Sequence, residues 1–296
     1  MTLRKADDPI LWIRKMHRND LDAVERIRES AEWNQTEADW HRLMHLEPEG
    51  CFVMVEKDTV KAATTLIGFK KTLAWIGMVL VDEKHRGRGI ATRLVQHALN
   101  YARDQSFKTI RLDATPQGQP VYKKLGFTLD WNLNRWQIDD ISCLPEVSIK
   151  NSGLQVHSKS DDLNALFALD NNFLKIDRSA LLSKLAQTSH SVVSACNSEG
   201  KLKGYGMLRS GSFADYLGPI ICTDPNYGPP LVSCLLKHRR HHRIVWDIPE
   251  INTKAEATGK SLGFSPRRPL IRMSLGPGIP GEKPELQWAI SDPSTG

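Results

Sequence analysis

The four residues Arg86-Gly87-Arg88-Gly89 set two cations beside two residues without a Cβ. That combination suits a phosphate, because glycine lets the backbone approach a ligand closely. If a helix begins at Ile90, its first amides lack intrahelical partners and point at whatever lies above its N-terminus. Arg86 and Arg88 beside such amides fit a pyrophosphate. A helix end alone contributes only about 0.3–1 kcal/mol to an anion, so amides and arginines must act together. A strand-to-helix turn can also use glycine simply to save space, and the turn alone leaves that reading open. It is not a Rossmann fingerprint, for the third glycine and the acidic ribose reader are missing, and it is not a Walker loop, which needs Gly-Lys-Ser/Thr.

The surrounding pattern supplies elements to position this loop. Leu73–Val81 reads as a buried strand entering it. Ile90, Leu94, Val95, Ala98, Leu99 and Ala102 recur at helical spacing behind it, predicting a helix from about Gly89 to Gln105. A strand at Thr109–Thr115 follows, then a short segment from Gly118 to Lys124 running into Leu125-Gly126-Phe127. Upstream, Leu11–His17 reads as a strand and Asn19-Asp20 as the cap of a helix bearing Leu21, Val24 and Ile27. Thr36 opens a second helix with Asp39 in its first turn. Cys51–Glu56 and Lys61–Phe69 read as strands, and closing strands are expected near Phe127–Trp131 and Arg135–Ile138. Strands with interspersed helices predict a mixed α/β sheet.

With these motifs in place, residues 10–138 resemble a GNAT-family N-acetyltransferase. Arg86-Gly87-Arg88-Gly89-Ile90-Ala91 is similar to that family's Arg/Gln-x-x-Gly-x-Gly/Ala motif, and Tyr122 stands where the family has a tyrosine before Leu-Gly-Phe. Trp33-Asn34-Gln35-Thr36 with Asp39-Trp40, and Leu112-Asp113-Ala114-Thr115-Pro116, resemble a bacterial subgroup with a second GNAT-like domain. The resemblance implies acetyl-CoA as cosubstrate, held by Met78, Val79, Leu80, Val81, Arg86, Gly87, Arg88, Gly89, Ile90, Ala91 and Thr92. It implies a splayed backbone at Met78–Val81, with the Val79 amide as donor to the developing oxyanion. Tyr122 is then the general acid for the departing thiolate, its alternative being a packing tyrosine. Trp33, Asn34, Asp39 and Trp75 are candidates for the acceptor side. The strand Trp75–Val81 carries no carboxylate, so Glu29, Asp39, His41 and Asp113 stay open as bases.

The second half repeats the first. Leu217-Gly218-Pro219-Ile220-Ile221-Cys222 parallels Ile76-Gly77-Met78-Val79-Leu80-Val81, Val245-Trp246-Asp247 parallels Arg111-Leu112-Asp113, and Leu262-Gly263-Phe264 parallels Leu125-Gly126-Phe127. An ordered series of this kind predicts one duplicated fold. Opposite the Arg86–Gly89 loop the second copy has Asp224-Pro225-Asn226-Tyr227-Gly228-Pro229-Pro230, whose prolines remove amide donors. Opposite Tyr122 it has Gly259. The expected architecture is two tandem GNAT folds, each a twisted, mixed, mainly antiparallel sheet flanked by helices. The expected boundaries are an acetyl-CoA-binding domain at 1–138, a linker at 139–153, a degenerate domain at 154–276 and a loose tail at 277–296.

With 296 residues, 40% hydrophobic and 25% charged, the composition is that of a soluble globular protein. No apolar run approaches the roughly 20 residues that cross a bilayer, and Met1–Asp8 does not read as a secretory signal. Five scattered cysteines without Cys-x-x-Cys predict neither a zinc site nor a disulfide framework, which points to the cytoplasm and to no metal. The net charge of +6 suits a polyanionic cosubstrate. The run Lys237–Arg243 lacks interleaved aromatics, so no nucleic-acid partner is expected, and it reads as a solvated helix end. The function expected is direct acetyl transfer to a small-molecule or protein amine, with a second domain that is non-catalytic and available to shape the acceptor site. The alternative is an acetyl-CoA-responsive binding protein. The identity of the acceptor, the acyl chain length and the oligomeric state are open at this level.

Overall fold

The computed structural model describes residues 11–141, 163–237, 239 and 241–296, together with the backbone of 155–157. The first half runs β1 (Leu11–Lys15), α1 (Leu21–Ser30), α2 (Glu37–Leu46), β2 (Cys51–Glu56), β3 (Thr59–Phe69), β4 (Leu73–Val81), α3 (Ile90–Asp104), β5 (Thr109–Ala114), α4 (Gln119–Lys124) and β6 (Thr128–Ile138). The second runs β7 (Gln155–His157), α5 (Leu163–Leu174), α6 (Ser179–Thr188), β8 (Ser189–Cys196), β9 (Leu202–Arg209), β10 (Asp215–Cys222), α7 (Gly228–Leu236), β11 (Ile244–Pro249), α8 (Thr253–Ser261), β12 (Ser265–Leu275) and β13 (Gln287–Ala289). Of the expected linker, residues 142–153 lie outside the described residues.

Local sequence explains the helices that frame β4. Thr36 caps α2 in a reciprocal box in which Asp39 accepts from the Thr36 amide at 2.6 Å and the Thr36 hydroxyl at 2.9 Å. In α3 the six apolar residues singled out by their spacing are all buried against the sheet, and Gly89 serves as N-cap with φ +72°. The two Leu-Gly-Phe turns are alike. Gly126 and Gly263 have φ +92° and +88°, a region glycine enters without the Cβ clash other residues meet. The amides of Phe127 and Phe264 donate to the carbonyls of Tyr122 and Gly259 at 3.1 and 2.9 Å.

The described strands form one continuous, mostly antiparallel sheet in the order β1-β2-β3-β4-β5-β12-β6-β11-β10-β9-β8-β7, with β13 on β10. The two closing strands expected around residues 127–138 are one long strand, β6. The halves exchange their last long strands: β12 pairs with β5 of the first half, and β6 pairs with β11 of the second. Two reciprocal ion pairs seal the exchange. Arg272 of β12 makes a bidentate pair with Asp113 of β5 at 2.9 and 2.8 Å. Arg135 of β6 does the same with Asp247 of β11 at 2.8 and 2.6 Å.

Residues 277–296 are not a loose tail. Trp288, Ala289, Ile290, Ser291 and Asp292 are buried, and β13 pairs antiparallel with β10. The segment lacks apolar periodicity because it fills a gap between elements and presents no single repeating face.

Candidate active site

Strand β4 is irregular where the chemistry was expected. Opposite β3, Thr65 faces Gly77 and Ala63 faces Leu80, so Met78 and Val79 together stand against Thr64 in a β-bulge. Met78 takes φ +50°, a conformation that side-chain-bearing residues adopt only when their surroundings enforce it. On its other edge β4 pairs with β5 only over Leu73–Trp75. From Ile76 onward the two parallel strands splay, and β5 continues instead along β12.

The bulge shifts the alternation of faces by one residue. Val79, Val81, Ile90 and Leu94 pack with Tyr122 and Phe127 on the α3 side. Trp75, Met78 and Leu80 pack on the other side, in a cluster that includes Trp33 and Trp40 and reaches into α5 and α6. Tyr122 is brought into this position by α4, where Pro120 sits in the first turn and its fixed φ favours helix initiation. Its ring meets Phe127 edge-on with centroids 6.0 Å apart. Burial pushes its phenol pKa above the ordinary tyrosine value, so at neutral pH it is protonated and able to donate.

At the end of β4 the chain passes through a 3-10 turn over Glu83–His85 into the glycine loop. Arg86, Gly87, Arg88 and Gly89 are exposed, and a Cβ built on either glycine would meet nothing within 4 Å. Both glycines have positive φ, +74° and +72°. The space over the start of α3 is therefore open, and Gly89 offers no side-chain cap to compete for the free amides. Arg86 is steadied by its Nε donating to the Val81 carbonyl at 3.2 Å, and Arg88 lies 3.7 Å from Glu56. Ala91 and Thr92 follow, half-buried, in the first turn of α3. Free amides, two arginines and a splayed strand fit an extended thioester carrying a pyrophosphate.

The acceptor-side candidates are engaged in contacts within the protein. The Asn34 side chain donates to the Ala214 carbonyl at 2.9 Å and accepts from the amides of Phe213 and Ala214 at 3.0 and 2.9 Å. All this binds it to the β9–β10 loop of the second half. Asp39 is engaged by Thr36 and by Arg42. The Trp75 indole donates to the Pro293 carbonyl at 3.1 Å, and its ring carries the Arg272 guanidinium at 4.5 Å. Trp33 is half-buried, and its carbonyl accepts from Arg28 at 2.6 Å. Of the candidate bases, Asp113 is locked to Arg272, while Glu29 and His41 are exposed. The partners of Asn34, Asp113 and Trp75 are 180, 159 and 218 residues away in the chain, beyond any local pattern.

The corresponding region of the second half is filled. Strands β10 and β11 pair only over Asp215–Tyr216 and Ile244–Val245, repeating the splay, but here β13 lies along β10 through Ile220 and Ile221. The Trp246 indole donates to the Trp288 carbonyl at 2.7 Å. The Trp288 ring covers the start of α7, so a Cβ on Gly228 would lie 2.1 Å from it. Pro229 and Pro230 in that first turn also lack N–H groups. Trp288 belongs to no motif in the sequence, and its place over α7 emerges only from the fold. Among the described residues no group of three or more His, Cys, Asp or Glu side chains could hold a metal, and no helix is long and apolar enough to cross a membrane.

Each half of the chain has a match among known protein families. Residues 14–127 match the acetyltransferase (GNAT) family, and residues 166–287 match an acetyltransferase (GNAT) domain. The chain is 26% identical over 193 residues to the uncharacterized N-acetyltransferase YitH of Bacillus subtilis, an alignment spanning 65% of this chain and 66% of that relative. It is 23% identical to the holothin acyltransferase of a Pseudoalteromonas species, over 88% of this chain and 86% of the other. A solved structure from Pyrococcus horikoshii, described as a candidate acetyltransferase, superposes with a TM-score of 0.80 at 22% identity and covers 99% of both chains.

Proposed function

The chain belongs to the GNAT acetyltransferase family, in which an acyl group passes from acyl-CoA to an amine, and on that premise we propose that its first half holds a single acetyl-CoA-dependent N-acetyltransferase site while its second half is non-catalytic. The observation that carries the reading is the contrast between the two splayed strand pairs. In the first half no described strand fills the gap beyond Trp75, and the glycine loop above it is open. In the second half β13 and Trp288 fill the corresponding gap.

In this reading acetyl-CoA supplies an activated acetyl group as a thioester. The amides at the start of α3, with Arg86 and Arg88, hold its pyrophosphate, and Met78, Val79, Leu80 and Val81 line the pantetheine arm. The Val79 amide donates a hydrogen bond where negative charge develops on the carbonyl oxygen. The Tyr122 hydroxyl gives its proton to the departing sulfur, and its raised pKa keeps that proton in place until then.

Because Asp39 and Asp113 are engaged in ion pairs, the acceptor best suited to the site is an amine already neutral near pH 7. An alkylamine of pKa about 10 would lose roughly 4 kcal/mol to protonation. A cytoplasmic location is part of the proposal, consistent with free thiols at Cys51, Cys196, Cys222 and Cys234.

The test is a screen of amines spanning a range of basicity for release of CoA thiol from acetyl-CoA. Turnover that is greatest with weakly basic amines supports the proposal. Tight acetyl-CoA binding without turnover of any amine would replace it with the acetyl-CoA-responsive binding protein.

A further inference from the structure

The face of β4 turned away from α3 is covered, beside the bulge, by the last stretch of the described chain. Gly77 immediately precedes Met78, and a Cβ there would lie 2.5 Å from the Ser294 carbonyl oxygen and 2.8 Å from its Cα. Two residues earlier, the Trp75 indole holds the Pro293 carbonyl at 3.1 Å. Gly296 lies flat against the Trp75 ring, so close that a Cβ on it would approach a ring carbon at 2.6 Å.

The grip on this stretch comes from the second half. Arg178 at the start of α6 donates to the Gly296 carbonyl at 2.5 Å, and Arg209 at the end of β9 donates to the Asp292 carboxylate at 2.8 Å. Asp292 in turn accepts from the Ser294 amide at 2.7 Å, and its own carbonyl accepts from the amides of Thr295 and Gly296 at 3.1 and 2.9 Å. The result is a tight turn, pinned from one half and pressed onto the other.

Direction of attack gives this arrangement a chemical meaning. Tyr122 packs on the α3 side of β4, with Val79, so the sulfur it protonates leaves toward that side. A nucleophile adds to the carbonyl carbon from above or below the plane of the thioester, and the sulfur leaves only when the tetrahedral adduct collapses. With Tyr122, Phe127 and Val79 packed on the α3 side, the face left to an amine is the one on the side where Ser294 lies against Gly77.

Resting on the function proposed above, we propose that Pro293–Gly296 forms the acceptor-side wall of the first half's transfer site, so that the second half, through Arg178 and Arg209, sets how closely an amine or a water molecule can approach the thioester. With no amine present, the only competing nucleophile is water. Its oxygen bonds to the carbonyl carbon, the carbon–sulfur bond breaks, the thiolate takes a proton, and acetate and CoA are released. A wall in place keeps that reaction slow, and a displaced wall lets it proceed.

Two substitutions push the segment away from β4, one made on the strand and one on the segment, without leaving a buried charge. Gly77→Ala places a methyl group against Ser294, and Gly296→Val places one against Trp75. For each full-length variant, deuterium exchange at the amides of Ser294, Thr295 and Gly296 reports whether the turn has loosened, with no ligand required. Calorimetry with acetyl-CoA reports cosubstrate binding, and CoA thiol release without amine reports shielding. Faster exchange, acetyl-CoA affinity close to that of the unaltered protein and a severalfold rise in thiol release are expected, and either variant alone suffices if the other fails to fold. Faster exchange with unaltered thiol release would overturn the wall. Unaltered exchange in both folded variants would overturn the contacts on which it rests. Failure of the unaltered protein to bind acetyl-CoA would instead remove the function proposed for the first half.

Discussion

At the scale of single residues, Tyr122 bears the sharpest expectation. Tyr122→Phe keeps the ring that meets Phe127 edge-on and removes only the hydroxyl. If that hydroxyl protonates the thiolate, single-turnover acetyl transfer should fall by about 10²–10⁴-fold, with acetyl-CoA affinity largely retained. Burial raises the Tyr122 pKa, so any alkaline loss of rate due to this phenol should begin only above the ordinary value of about 10. A pH–rate profile checks this, and a loss beginning near pH 8 that vanishes in the Phe variant would contradict it. The placement of Tyr122 beside the splay and of the Arg86–Gly89 loop at the start of α3 was legible in the sequence because each belongs to a short motif with its neighbours. The contacts of Asn34 and Trp75 were not, because their partners, Ala214 and Pro293, come from the second half of the chain. Asp39 illustrates a local reading that served a local purpose: its carboxylate caps α2.

The elements of the first half follow the expected pattern closely: α3 announces itself by its helical period and by Gly89 at its start, and β4 by its apolar run. What pattern alone leaves out is which strand lies beside which. The exchange of β6 and β12 is visible only through side chains such as Arg135 and Arg272, which pair with Asp247 and Asp113 of the opposite half. The repeat offers a retrospective clue, for the two aspartates correspond to each other within the copies already aligned in sequence. Removing Arg272 while leaving Asp113 buried should be costly. Arg272→Met is expected to destabilise the protein by about 3–5 kcal/mol in urea unfolding, and adding Asp113→Asn should recover part of that loss. Additive costs in the double variant would show that the two residues do not act as a pair. The bulge in β4 is likewise invisible to periodicity, because a single extra residue moves Met78 onto the face of Trp75 and Val79 onto that of Ile76 without changing the apolar character of the run.

Across the whole molecule, the segment after Gly276 joins the two halves, and it is the part that composition misjudged. Asp292 is central to it. Burial alone would raise its pKa, but Arg209 and Ser294 hold it below the ordinary carboxylate range. A depressed folded pKa means its contribution to stability is present above the unfolded value of about 3.9 and is lost as pH falls through the folded pKa. Acid should therefore loosen the 291–296 turn in that window, read as faster deuterium exchange at the Thr295 and Gly296 amides below pH 4. Equal protection at pH 3 and pH 6, after correction for intrinsic exchange, would contradict it.

One acetyl-CoA site per chain, located in the first half, is tested most directly by calorimetric titration of the full chain and of Gly89→Val with acetyl-CoA. Gly89 has φ +72° and open space above it, so valine both strains the turn and intrudes on the approach of the pyrophosphate. A stoichiometry of one is expected for the unaltered chain, with loss of binding in the folded variant. Two comparable sites, or a single site whose affinity survives Gly89→Val, would contradict it.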